Sequence, residues 1–97
     1  MTGWVYGLVN EALPGVVKIG FTTVCPRRRA TNTKSGINTP FSVEFAYRTP
    51  VPHFVEKTVH AALAHKKSGF RREYFKIGKR TARQLVRQTI REIHIDL

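Results

Sequence analysis

Carboxylates are scarce in this sequence. Six Asp and Glu stand against seventeen Lys and Arg in 97 residues, a formal charge of +11. A divalent cation engaged in phosphate chemistry usually needs a carboxylate ligand, so a metal has few places to sit. Cysteine is scarcer: Cys25 alone permits no internal disulfide and no cysteine-rich zinc cage. The four histidines, His53, His60, His65 and His94, do not make a zinc-finger spacing. No apolar run approaches the ~18 residues of a membrane span. The N-terminus has no basic segment followed by an apolar core, so no secretory leader is expected. These absences together predict a reducing compartment, cytoplasm or, in a eukaryotic source, nucleus. Internal repeats, linkers and low-complexity tracts are absent as well, which predicts one small domain over 1–97.

What is present is a core and a large positive surplus. Ile, Leu, Val and Phe make up more than a quarter of the chain, above the ~20% floor below which highly charged chains stay disordered. A folded domain carrying this much like charge is expected to bind a polyanion, with nucleic acid ahead of an anionic membrane.

The elements follow from periodicity and punctuation. Residues 3–10 and 16–22 are β-branched and aromatic, and Pro14-Gly15 between them marks a turn, so they predict an antiparallel hairpin. Pro26 suits the first position of a helix and Gly36 the position after its end, which predicts a short helix near 26–35. Residues 41–48 alternate apolar Phe41, Val43, Phe45 and Tyr47 with Ser42, Glu44, Ala46 and Arg48, the period of a half-buried strand. Val55, Val59, Ala62 and Leu63 recur at helical spacing over 53–66, and 72–78 is a short extended segment. Residues 79–95 form the clearest helix, with Ala82, Leu85, Val86, Thr89, Ile90 and Ile93 on one face. Arg80, Arg83, Arg87 and Arg91 lie on another face, with no acidic partner before Glu92. The class is α+β: a small, mostly antiparallel three-stranded sheet flanked by about three helices.

Reactive groups are few enough to weigh singly. Tyr6 and Lys18 lie on the two hairpin strands and face each other or sit diagonally on one side of the sheet. A lysine beside a phenol favours the phenolate and lowers the tyrosine pKa, which suits a general base. The plainer reading is a tyrosine packed at a sheet edge beside a solvated lysine. Of the six carboxylates, only Glu56 and Glu73 have other reactive groups around them. Trp4, Phe21, Phe41 and Phe45 fall in strand patterns and are read as core. Phe70, inside KKSGFRR, either stacks on a base or anchors its loop. His53, His65 and His94 are expected at the surface, and Cys25 is expected as a small apolar filler at the helix start.

Taken in order, these residues resemble a known family. GWVYGLV and PGVVKIG look like the paired motifs of the GIY-YIG nuclease superfamily. KIGFTT (18–23), PRRRA (26–30), GINTPF (36–41), EKTVHAAL (56–63) and REYF (72–75) resemble its T5orf172, or meiotically-upregulated-gene-113, branch. The resemblance covers residues 3 to about 78. It implies a metal-dependent endonuclease or nickase acting on DNA, in which Tyr6 activates the attacking water. It places Lys18 where the second motif's tyrosine stands, Arg29 on the scissile phosphate, and Glu56 as the ligand of one Mg²⁺ or Mn²⁺. Counting from Pro26 selects Arg29, whereas counting from Gly20 selects Arg28. Thr33 stands where many relatives carry a His or Tyr. His60, four residues after Glu56, either contacts phosphate, steadies Glu56, or is a half-buried margin residue. Glu73 orients Lys18 or an arginine, or simply pairs with the surrounding Arg71 and Arg72. Lys66, Lys67, Arg71 and Arg72 in the loop and the arginine stripe of 80–91 are expected on the nucleic-acid backbone. Duplex, single-stranded and branched DNA all fit, as does RNA. A domain this small has little surface for reading sequence, so target choice would come from a homodimer or a partner. The rival reading is a nucleic-acid-binding module that keeps the fold without cleaving.

Overall fold

The computed structural model describes residues 2–32, 39–68 and 73–95. The elements run β1 (Gly3–Val9), β2 (Val16–Thr22), α1 (Pro26–Asn32), β3 (Ser42–Thr49), α2 (Pro52–Ala62), β4 (Tyr74–Lys76) and α3 (Lys79–Ile95), with a 3-10 turn at Ala64–Lys66. All strand pairs are antiparallel, in the order β3-β1-β2-β4. The predicted α+β class holds. The sheet has a fourth strand where the sequence pattern predicts three, because Tyr74–Lys76 docks on Val16–Lys18. Three residues are too few to show a period of two, so pairing rather than pattern makes this strand.

The β1–β2 hairpin closes as its turn residues demand. Asn10 accepts the Ala12 amide at 2.9 Å through Oδ1 and donates through Nδ2 to the Thr39 carbonyl at 2.8 Å. Gly15 takes φ +75°, where side chains are strained.

Alternation along the strands divides the side chains between two faces. Val5, Val17, Ile19 and Phe45 point to one face and pack with Val55 and Val59 of α2, with Phe75, and with Ala82 and Val86 of α3. This is the main core. Tyr6 and Leu8 point to the other face, against Ala30 of α1, with Phe41, Val43 and Ala46 around them. The α1 helix is therefore on one layer, and α2 and α3 are on the opposite one. A register shift at Gly7/Leu8 in the β1–β3 pairing brings Val43 and Ala46 to the same face.

The α2 helix is shorter than its apolar pattern. It ends at Ala62, and Leu63 turns the chain into the 3-10 turn. The stretch 33–38, which holds Thr33, Gly36 and the end of the predicted first helix, lies outside the described residues. So does 69–72, with Phe70, Arg71 and Arg72.

Candidate functional site

Tyr6 pairs with Gly20 and Leu8 with Lys18 across the hairpin. Lys18 is therefore diagonal to Tyr6 on the same face, with its Nζ 5.9 Å from the centre of the phenol ring. Tyr6 is 1% exposed and its ring lies over Gly20. A Cβ at position 20 would stand 2.6 Å from the Tyr6 hydroxyl and 2.8 Å from Cζ. The glycine is needed there for space.

Of the three adjacent arginines, Arg29 is the one that donates a hydrogen bond to the Tyr6 hydroxyl. The expectation that Lys18 lowers the Tyr6 pKa is not met. Burial is the largest influence and pushes Tyr6 up; Arg29, by hydrogen bond and charge, pulls it back, while Glu73 and Glu56 push it further up. The net direction is above the ordinary phenol value. Lys18 is itself pushed down, first by burial, with Glu73 opposing. Its ammonium lies 3.8 Å from Glu73 Oε2; the other partners expected of Glu73, Arg71 and Arg72, lie outside the described residues. The hydrogen bond to Tyr6 raises the Arg29 pKa, so Arg29 stays cationic.

Glu56 and His60 both reach backbone groups on the outer edge of β2. On that edge the Ile19 amide donates to the Glu73 carbonyl at 3.0 Å. His60 Nε2 donates to the Ile19 carbonyl at 2.7 Å, and its ring packs 5.0 Å from Phe75. One helical turn earlier, the Glu56 carboxylate accepts the Phe21 amide. The i, i+4 spacing of α2 thus matches two backbone groups two residues apart on β2. Glu56 is 8% exposed. Burial raises its pKa above the carboxylate norm, Glu73 adds to this, and His60, His53 and the Phe21 amide oppose it.

His53 and Phe21 join the site's margin, a pairing the sequence reading did not anticipate. Their rings stack at 5.0 Å. The signal was available: His53, Glu56 and His60 lie at i, i+3 and i+7, one face of α2. Among the described residues no group of three or more His, Cys, Asp or Glu side chains gathers as a metal cage.

Other expectations are corrected. Cys25 is exposed, not buried filler. Backbone amides of Arg28 and Arg27 at the start of α1 hydrogen-bond its thiol and lower its pKa. His94 is exposed, as expected, and is hydrogen-bonded through Nε2 to Thr49 Oγ1 at 3.0 Å. The basic stripe of α3 has an acidic partner long before Glu92: Glu44 of β3 lies 3.2 Å from Arg83 and 3.6 Å from Lys79. Arg83 also donates to the Glu44 carbonyl at 2.8 Å. Arg87 lies over Tyr47, 6.0 Å from the ring centre, and Arg80 and Arg91 are exposed. This helix covers the sheet face opposite Tyr6. Lys66 and Lys67 sit at and just after the 3-10 turn, and Lys67 bridges to Phe75. No helix among the described residues is long and apolar enough to cross a membrane.

Tyr6, Lys18, Arg29, Glu56, His60 and Glu73 therefore gather around one end of β2, with Arg28 and Arg27 exposed beside them on α1. Residues 3–90 match the model of the T5orf172 domain. No curated protein matches the chain, and no solved structure does.

Proposed function

The chain belongs to the T5orf172 domain family, and from that premise we propose that it is a metal-dependent endonuclease or nickase that hydrolyses DNA phosphodiester bonds. The observation that carries the proposal is the Tyr6 hydroxyl: buried, bonded by the Arg29 guanidinium, and influenced by both Lys18's partner Glu73 and the sheet-edge carboxylate Glu56.

Each residue has work matched to its setting. Tyr6, as phenolate, takes a proton from the attacking water; the Arg29 bond favours that form and burial opposes it. Arginine has five N–H donors, so Arg29 can hold Tyr6 and still meet the scissile phosphate. Water adds its oxygen to phosphorus, the bond from phosphorus to the 3′ oxygen breaks, and the products are a 5′-phosphate and a 3′-hydroxyl whose proton comes from solvent. Lys18, held by Glu73, keeps positive charge on the face where the anion would lie.

Glu56 fits a hard cation that keeps most of its waters. Its carboxylate accepts the Phe21 amide, and acceptor capacity remains for Mg²⁺ or Mn²⁺. Such an ion would supply Lewis-acid stabilisation of the phosphate's developing charge. His60 holds α2 on β2 and so sets where Glu56 stands. Arg28, Lys66, Lys67, Arg80 and Arg91 hold the backbone away from the reacting phosphate, through charge and counterion release. Arg71 and Arg72 belong to the same basic loop in sequence.

One observation favours a second reading, binding without cleavage: burial holds Tyr6 towards the neutral phenol. A nicking assay on supercoiled DNA with Mg²⁺ or Mn²⁺, run beside a gel shift, separates the two. Metal-dependent nicking that disappears in Glu56→Ala, with the gel shift retained, supports the nuclease. A gel shift with no cleavage of any DNA form in either metal supports the binding module.

A further inference from the structure

Trp4 is the one tryptophan in the chain, and its strand pattern predicts a core residue. It is half-buried, and among the described residues it belongs to neither apolar cluster. It lies two residues before Tyr6 on β1, so the two side chains share a face about 6–7 Å apart. The α1 helix contributes Ala30 over the Tyr6–Leu8 end of that face, leaving Trp4 beyond it. Across the sheet, Trp4 pairs with Thr22 on one side and Arg48 on the other. The Arg48 guanidinium lies over the indole, 5.5 Å from its centre. Arg48 is exposed, and among the described residues no carboxylate pairs with it.

We propose that Trp4 and Arg48 form a nucleotide subsite beside Tyr6, holding one unpaired base on the indole and the adjoining phosphate on the guanidinium. The proposal rests on the nucleic-acid reading of the Tyr6 site and names its substrate class, a strand that is single or locally unpaired. A base inside a duplex has neighbours on both faces, whereas an unpaired base offers a free face to an aromatic platform. Every base has such a face, so this contact tolerates any sequence, as suits a small surface. The guanidinium is drawn to the indole by its cation–π contact and can still donate to phosphate oxygens. A half-buried indole and a cation that no carboxylate pairs among the described residues, one row from the proposed water-activating phenol, match a nucleotide next to the scissile position.

Trp4 is also its own reporter. The intact chain, without divalent metal, is titrated with a labelled oligothymidine strand and with a duplex of equal length. Strand anisotropy and tryptophan emission are followed together. Emission falls in step with single-strand binding. Trp4→Ala and Arg48→Ala each weaken single-strand binding by about 5- to 100-fold, with a smaller change for the duplex. Single-strand binding with unchanged emission and an undiminished Arg48→Ala affinity overturns the subsite and leaves the nucleic-acid reading standing. Binding of neither oligonucleotide overturns both. Arg48 is exposed and wild-type emission needs no substitution, so the test holds even where Trp4→Ala fails to fold.

Discussion

The Tyr6 ring lies directly over Gly20 of the neighbouring strand, with its hydroxyl where a Cβ would have a contact of only 2.6 Å. Two motif residues far apart in sequence are thereby one steric unit. Gly20→Ala must push the ring or the strand aside, and Gly20 is on a strand whose backbone is pinned by Tyr6's own strand on one side. Overpacking of this kind costs about 1–3 kcal/mol. The expected outcome is a folded protein with a lower melting temperature and at least a tenfold loss of metal-dependent nicking. Circular dichroism and a nicking assay check the two halves. Retained nicking in Gly20→Ala would remove Tyr6 from the chemistry, since the hydroxyl could not stay in place.

The buried carboxylate makes a stability prediction that needs no substrate. Burial raises the Glu56 pKa in the folded state. The folded protein then holds this proton more tightly than the unfolded chain does. The resulting stabilisation is present in acid and lost as pH rises through the raised pKa, so at neutral pH the ionised group is a cost. Glu56→Gln keeps an acceptor for the Phe21 amide and removes the charge. It should melt at or above the wild-type temperature at neutral pH without metal. Adding Mn²⁺ should raise the wild-type melting temperature and leave Glu56→Gln unmoved. Equal stabilisation of both proteins by Mn²⁺ would place the metal elsewhere.

Much of this arrangement was legible in the sequence. The hairpin, Tyr6, Lys18 on its face, the EKTVH helix and the α+β class all follow from local patterns and motif order. What was not legible depends on contacts between distant segments. The acidic partner of Arg83 is Glu44, thirty-nine residues away on another element, so a helix-local scan of α3 meets only Glu92. The direction of the Tyr6 pKa is set by how deeply the fold buries it, which residue type alone does not reveal. Trp4 fits a core pattern on β1, yet which of a strand's two faces is covered is decided by where α1 docks. Cys25 looked like filler because cysteine is commonly buried, but the start of α1 holds it in solvent.

The upward shift of Tyr6 also sets a pH profile. A base with a pKa above the ordinary phenol value is mostly protonated at neutral pH, so the working fraction grows about tenfold per pH unit until that pKa is approached. The expected single-turnover nicking rate, at saturating Mg²⁺, climbs through neutral into alkaline pH without levelling. Tyr6→Phe should lose most activity and the slope together. A plateau near neutrality in the wild type, or the same slope in Tyr6→Phe, would show that another group takes the proton.

His60 tests whether a residue at the site margin positions or reacts. The Ile19 carbonyl can only accept, so the 2.7 Å contact requires a proton on His60 Nε2. That nitrogen is committed to the strand edge, and the ring is packed on Phe75. A glutamine side-chain amide offers a donor at a similar reach, without an imidazole. His60→Gln should therefore keep α2 tethered to β2, keep Glu56 in place, and retain nicking within a few fold. His60→Ala removes the donor, leaves the Ile19 carbonyl without this partner, and should cost about 1–2 kcal/mol of stability. It should also weaken Mn²⁺ affinity, because the helix turn carrying Glu56 loses its tether. Stability from denaturant melts and metal affinity from calorimetry read these effects without reference to turnover. If His60→Gln were as inactive as His60→Ala while its stability and Mn²⁺ affinity matched the wild type, the imidazole would be carrying a proton and not holding a strand.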